Sequence, residues 1–335
     1  MELNSIGLGD FVKLADVIFK KGEMSVPQVM RASGIFNVST IPNNTGNTRE
    51  FSEIDLEEYA DNKGESAQSE RAKVQQGYTK TMRKKRVAKD IGISYEMRTE
   101  NKYNEVVRRL TNLGKLVANR MDLDLAHRIT FAYSTSYTDK NGETVDVSLG
   151  DTKALAATDH TVRGSSTTYR NALANNPRLS KGALQSMRRL CVEETVNQFG
   201  EKVTRSFGIL WTTDDPEDMD MAAEILKSTS SLSGLNAGII NVDQARYKHI
   251  ALPRVATTAA GAVDSTKKHY WGLCSAEDSQ AHLGIWEEAR MKSPAVGNNG
   301  DDFSTDDWSF GSRGGYGIVI VSGAFFKISK GDGTA

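Results

Sequence analysis

Tyr103, Val106, Val107, Leu110, Leu113, Val117, Met121, Leu125 and Ile129 advance by threes and fours between Thr99 and about Tyr133, with charged residues on the opposite side. That period puts them on one face of a helix. Roughly 30 residues at about 1.5 Å each make a rod of about 45 Å, longer than the usual globular helix. Such a rod is either one strand of a coiled coil or the spine of a domain. No heptad persists, and "MDLDLAHRITFAYS" turns apolar on both sides, so the spine is the favoured reading. The rest of the chain must cover it.

There is enough chain to do so. With 335 residues, 38% of them hydrophobic, the sequence can bury a core in one large or two ordinary domains. Its 42 basic and 43 acidic residues leave a net charge of -1, which excludes the overall positive excess of a nucleic-acid binder. Any basic surface is local. Cys191 and Cys274 lie far apart with no CxxC and no nearby His, which argues against zinc and against a disulfide framework and points to a reducing compartment. No apolar run approaches the roughly 18–20 residues of a membrane span. No membrane partner is expected.

The local basic surface is "GYTKTMRKKRVAKDIGISYEM", in which Lys80, Arg83, Lys84, Lys85, Arg86 and Lys89 crowd together before the sequence turns apolar. Upstream, "TREFSEIDLEEYA" carries Glu50, Glu53, Asp55, Glu57 and Glu58, and the polar "DNKGESAQSERAKVQQ" separates the two. The insert has too few large apolar residues to bury itself. Acidic arm, polar tip and basic arm read as a long hairpin-like excursion whose charges match between its arms or between neighbouring copies. Exposed ion pairs contribute only about 0–1 kcal/mol each, so the pattern speaks for registration more than for stability. Near the N-terminus, Phe11, Val12, Ala15, Ile18 and Phe19 share one face of a short helix that Asp10 can cap, followed by the loop-like "NVSTIPNNTGNTR". That helix packs either on its own domain or on a partner. Phe11 and Ile18 are its candidate intersubunit contacts.

Beyond the spine, Asn141-Gly142 signals a hairpin, Ser180 can cap a helix, and "FGILWTT" reads as a buried strand. Asp215, Pro216, Glu217 and Asp218 form a complete helix start, and "RYKHIAL", "KHYWGL" and "YGIVIVSGAFFKIS" read as further strands. Helices and strands interleave without a βαβ rhythm, which predicts an α+β fold. The glycine-rich "FGSRGGYG" leads into a strand rather than a helix, so it reads as a turn and not as a phosphate loop. The cluster Asp214, Asp215, Asp218 and Asp220 is explained mainly by the helix start rather than by a metal. Histidines 127, 160, 249, 269 and 282 are scattered, and Asp159, His160, Ser165 and Ser166 lack a nucleophile elbow. No catalytic, metal-binding or cofactor-binding residue is assigned, and no enzyme activity is expected.

The order of these parts resembles the major capsid protein of tailed double-stranded-DNA bacteriophages, whose fold also builds encapsulin shells and the floor of herpesvirus capsids. The resemblance is carried by "FSEIDLEEYA", "VQQGYTKTMRKKRVAKDIGISYEM", "NKYNEVVRRLTNLGKLVANRMDLDLAHRITFAYS" and "SSTTYRN". It covers residues 48–170 well; the second half matches in element order. It implies an N-terminal arm over 1–45, an extended loop over 46–97 lying on a neighbour, a peripheral domain from 98–150 and 313–335, and an axial domain over 151–312. It further implies pentamers and hexamers closing an icosahedral head in the host cytoplasm, with a separate scaffolding protein, a portal and a decoration protein as partners. Contact with packaged DNA would be non-specific and phosphate-directed. Some such proteins crosslink through a loop lysine; Lys80, Lys84, Lys85 and Lys89 supply amines here, with no partner placed. The alternatives are an encapsulin-like shell and a nucleic-acid-binding protein using residues 80–89. On the shell reading, reversing Lys84, Lys85 and Arg86 to glutamate is expected to block assembly and spare the fold.

Overall fold

A computed structural model of the chain describes residues 8–57, 59–66, 68–100, 102–230, 240–277, 279–294 and 307–333. The rod is helix α4, Tyr103–Thr130, 28 residues long. Its first half is covered by helix α1, Leu8–Met24, which brings Phe11, Ala15 and Phe19 against Val106, Leu110 and Leu113. The two helices touch backbone to backbone: a Cβ on Gly114 would lie 2.2 Å from the Phe19 carbonyl oxygen, and one on Gly22 2.2 Å from that of Thr111. Phe11 is 2% exposed, with its ring 5.1 Å from that of Trp308 and 5.8 Å from that of Phe310. Ile18 is half-buried against the same cluster. Phe11 and Ile18, expected to contact another copy, are here engaged by residues of the same chain. The segment after α1 holds helix α2, Val29–Ala32, and strand β1, Asn37–Thr40, which is paired into a sheet although it lies in the loop-like stretch. Anchored there, α1 reaches its own spine.

That sheet has the order β1-β12-β13-β4, where β4 is Lys85–Ile93, β12 is Ala281–Lys292 and β13 is Trp308–Ile320. β1 runs parallel to β12, and the other pairs are antiparallel. "FGSRGGYG" is not a turn but the middle of β13. Its glycines serve close approach: a Cβ on Gly314 would lie 2.7 Å from Val117 Cγ1 on the spine, and one on Gly317 2.7 Å from the Arg83 carbonyl oxygen. β4, within residues 46–97, and β12, within residues 151–312, both pair with β13.

A second sheet, in the order β10-β9-β11-β14, is made of Lys248–Ala251, Ile209–Thr212, Trp271–Cys274 and Phe326–Ser329. Helices α5, Lys181–Glu193, and α6, Pro216–Lys227, cover it with Leu184, Met187, Leu190 and Ile225 packed on Leu210, Trp271 and Leu273. Both helices start as their sequences predict: the Ser180 side chain accepts from Ala183 N–H, and that of Asp215 from Glu217 N–H. Trp211, Phe326 and Ile328 share one apolar cluster with Leu125 of the spine and Leu283 and Ile318 of the first sheet. Three short pairs complete the fold. These are β2 (Thr48–Leu56) with β3 (Val74–Arg83), β5 (Ser136–Thr138) with β6 (Thr144–Asp146), and β7 (His160–Thr161) with β8 (Thr168–Tyr169). No helix among the described residues is long and apolar enough to cross a membrane.

Candidate assembly surface

The basic tract breaks at Lys84, where the chain leaves β3 and enters β4, and the break divides its charges. Lys80 on β3 pairs with Asp146 at 3.1 Å and donates to Ser148 Oγ at 3.0 Å. Lys85 on β4 lies 3.3 Å from Asp124 and 3.7 Å from Asp139. Arg120 reaches the same two carboxylates at 2.9 and 3.5 Å, and the Tyr316 hydroxyl donates to Asp124 at 2.6 Å. Lys80, Lys85, Asp124, Asp146, Ser148 and Tyr316 line a cleft of about 680 Å³ between β3, β13, the spine and the β5–β6 hairpin. The acidic partner of this part of the tract is thus the spine and the hairpin after it, not the arm of residues 50–58. The sequence signal is Asp124, a carboxylate inside an apolar stretch of helix, where an acid needs a partner; its neighbour Asp122 is taken by Arg254 at 2.8 Å.

Lys84 donates to Asn43 Oδ1 at 2.8 Å. Arg83, Arg86, Lys89 and Glu50 are exposed and make no ion pair among the described residues. Glu58 lies outside the described residues.

The β2–β3 hairpin has two unlike faces. After a register shift between Ser52 and Ile54, the acidic residues alternate with apolar ones. One face turns to the chain's own body: Glu53 accepts from Gln198 Nε2 at 2.6 Å, and Asp55 from Gln198 N–H at 3.0 Å. On β3, Gln75 donates to the Arg163 carbonyl oxygen at 2.9 Å, and Tyr78 shares a hydrogen bond with Thr161 at 2.7 Å. Glu57 pairs with Lys73 at 3.3 Å across the hairpin. Glu53 and Asp55, expected to meet another copy, are here held by residues of the same chain. The other face carries Ile54, Leu56 and Val74, with Leu56 opposite Val74, at 66%, 54% and 65% exposure. Apolar side chains grouped and exposed on a strand pair have no role in the chain's own core.

Other chemistry is not assembled. His160 Nδ1 lies 2.7 Å from Asp151, while Asp159 holds Lys153 at 2.7 Å and Ser165 bonds to Thr167. The imagined acid, base and nucleophile are therefore not brought together. Asp215, Glu217 and His269 come close enough to suggest a cation site. Arg178 already stands there, 2.7 Å from Glu217 and hydrogen-bonded to His269 Nε2, while Asp218 takes His269 Nδ1 at 2.9 Å.

Neither a known protein family nor a curated protein matches the sequence. Solved structures do match. The virus-like particle from Pyrococcus furiosus aligns with a TM-score of 0.50 at 11% identity, over 95% of this chain and 98% of that one. The capsid of the cyanophage P-SCSP1u aligns with a TM-score of 0.50 at 10% identity, over 87% and 84% of the two chains. The capsid of Ralstonia phage GP4 aligns with a TM-score of 0.50 at 11% identity, over 86% and 83%. The α+β fold is thus the one found in tailed-phage capsids.

Proposed function

We propose that this chain is the repeating subunit of a tailed-phage head, a structural protein that closes with copies of itself into pentamers, hexamers and an icosahedral shell around double-stranded DNA. The observation that carries the reading is the likeness to shell proteins along nearly the whole of both chains. The exposed apolar face of the β2–β3 hairpin supports it, since a second copy would bury Ile54, Leu56 and Val74. Repetition around closed symmetry turns modest contacts into a stable particle. On this reading residues 98–150 and 313–335 form most of the peripheral domain and residues 151–312 most of the axial one. A scaffolding protein, a portal and a decoration protein are the partners implied. Within the basic tract, Arg83, Arg86 and Lys89 make no ion pair among the described residues and stand exposed to meet a phosphate backbone or a neighbour.

The breadth of the match to the Pyrococcus furiosus particle favours a second reading, a shell that encloses something other than a genome. Expression of the full chain followed by light scattering and negative-stain microscopy tests both. Megadalton particles are expected, and a discrete small oligomer under all assembly conditions would refute the shell. Nuclease-protected duplex DNA in particles recovered from an infected host separates a head from a cargo shell.

A further inference from the structure

Glu53 is 5% exposed, a burial that acids reach only with a partner. Its hydrogen-bond partners are neutral, the Gln198 amide and the Ser322 hydroxyl. Gln198 gives Nε2 to the carboxyl at 2.6 Å and its backbone N–H to Asp55 at 3.0 Å, but Gln198 Oε1 is buried with no hydrogen-bond partner. Room for the pair comes from Gly77 on β3, where a Cβ would lie 2.7 Å from Glu53 Oε2 and 2.8 Å from Gln198 Nε2. An ionised carboxylate can only accept, so it leaves Oε1 unpaired. A protonated one donates as well, and the acid and amide then close with two hydrogen bonds.

The other groups around Glu53 pull both ways, and burial decides. Asp55 stands beside it on β2, Tyr78 comes from β3, and Asp151 with His160, Tyr169 and Ser322 come from the body. The charge of Arg205 and a hydrogen bond from Ser322 favour the ionised carboxyl, while burial and the carboxylates of Asp55 and Asp151 oppose it. The hairpin beyond this point is held by polar contacts, such as Arg163 to the Gly77 carbonyl oxygen at 2.8 Å and Tyr59 to that of Lys202 at 3.3 Å. Its base is apolar, with Phe51 and Met82 packed on Ile41, Trp286 and Val319. A firm base and a polar, detachable outer part make a hinge.

We propose that the Glu53–Gln198 contact is a proton-operated latch: protonated Glu53 holds the β2–β3 hairpin on the chain's own body, and the ionised carboxylate releases it toward a second copy. The latch is a property of the single chain; only the second copy rests on the shell reading. Burial, then the charge of Asp55, pushes the Glu53 carboxyl up from 4.5 to about 7. The docked hairpin therefore binds the proton more tightly than the released one does. Docking is strongest below pH 4.5, weakens as pH rises from 4.5 to about 7, and stays weak above. Between pH 5.5 and 8.5 the docking constant falls roughly 30-fold.

Spin labels at Gln76→Cys, exposed and opposite Ile54 on the outer part, and at Thr204→Cys in the full chain report the hairpin's distance from the body, since Cys191 and Cys274 are buried. One short distance at pH 5.5 giving way to a longer, broader distribution at pH 8.5 is expected, with Glu53→Gln staying short at both. An unchanged distribution across that range, or a pH response that survives in Glu53→Gln, overturns the latch. Should Glu53→Gln fail to fold, Gln198→Leu serves instead: it is expected to shrink the short-distance population at pH 5.5, and an unaltered population there is equally fatal. Light scattering on the same unmodified chain judges the shell separately, because missing particles refute the shell reading and leave the distances to decide the latch.

Discussion

Lys85 and Arg86 are neighbours in sequence and opposites in consequence. Strand alternation turns Lys85 toward the spine, where Asp124 and Asp139 hold its ammonium, and turns Arg86 to solvent. Reversal at 85 would set a third carboxylate against two that are 6% and 0% exposed. Leaving charges of one sign buried together costs about 2–3 kcal/mol for a lysine that still keeps some contact with water. Reversal at 86 removes nothing the folded chain uses and stays within about 0.5 kcal/mol. Urea unfolding of Lys85→Glu and Arg86→Glu is expected to separate them by that margin, and equal midpoints would mean the Lys85 network is not a stabilising one. The combined reversal of Lys84, Lys85 and Arg86 thus cannot leave the fold untouched, as the sequence alone suggested. A run of cations shows its composition but not which members alternate inward, because that depends on where β4 begins.

Elements were legible in the sequence where local chemistry settles them and illegible where another element does. Ser180 and Asp215 announce α5 and α6 because a cap is satisfied by its own first turn. The spine announces itself by its period, 28 residues with the apolar positions in step. "FGSRGGYG" reads as a turn because glycine weakens any strand, and the reason for the glycines, a spine helix and strand β3 pressed against β13, is remote in sequence. β12 was missed as well, with "AHLGIWEEARMK" switching from a buried run to exposed alternation halfway along. The landing of α1 depends on two glycines that look unremarkable in the sequence. Gly114→Ala would gain up to about 1 kcal/mol of helix propensity. Its Cβ would also meet a backbone oxygen 2.2 Å away, which no rotamer relieves, so the helices must part. Overpacking of this kind costs about 1–3 kcal/mol, and a net loss is expected. Gly182→Ala in α5, with nothing within 4 Å of the new methyl, is the control and should be neutral or stabilising. Thermal unfolding of both decides it; equal gains would show that α1 does not pack on α4 as described.

At the scale of the whole molecule, the β2–β3 hairpin leaves a surface that a single chain does not cover. The chain's two sheets and spine share a continuous apolar cluster, yet Ile54, Leu56 and Val74 stand out on a hairpin whose opposite face is already engaged. The polarity pattern of this hairpin was visible in the sequence, but its address was not: acidic residues read as facing a neighbour turn inward, and the apolar residues between them turn out. On β2 the alternation runs unbroken, with Phe51, Glu53 and Asp55 turned in and Ser52, Ile54 and Leu56 out, while the extra residue of the register shift lies on β3; the body under the strand, not the residue string, settles which parity faces in. The parity makes a clean separation of folding from assembly possible. Ile54→Asp combined with Leu56→Asp changes side chains that are 66% and 54% exposed and contribute little to the chain's own core. Unfolding midpoints should stay within about 0.5 kcal/mol of the parent. Burying two carboxylates in a contact between copies has no such tolerance, since each unpaired buried charge costs several kcal/mol and the penalty repeats at every copy. Particles are therefore expected to vanish from negative-stain fields while the folded chain persists in solution. Normal particles from this variant would place the contact between copies elsewhere on the surface, and a variant that unfolds would return the hairpin's outer face to the chain's own stability.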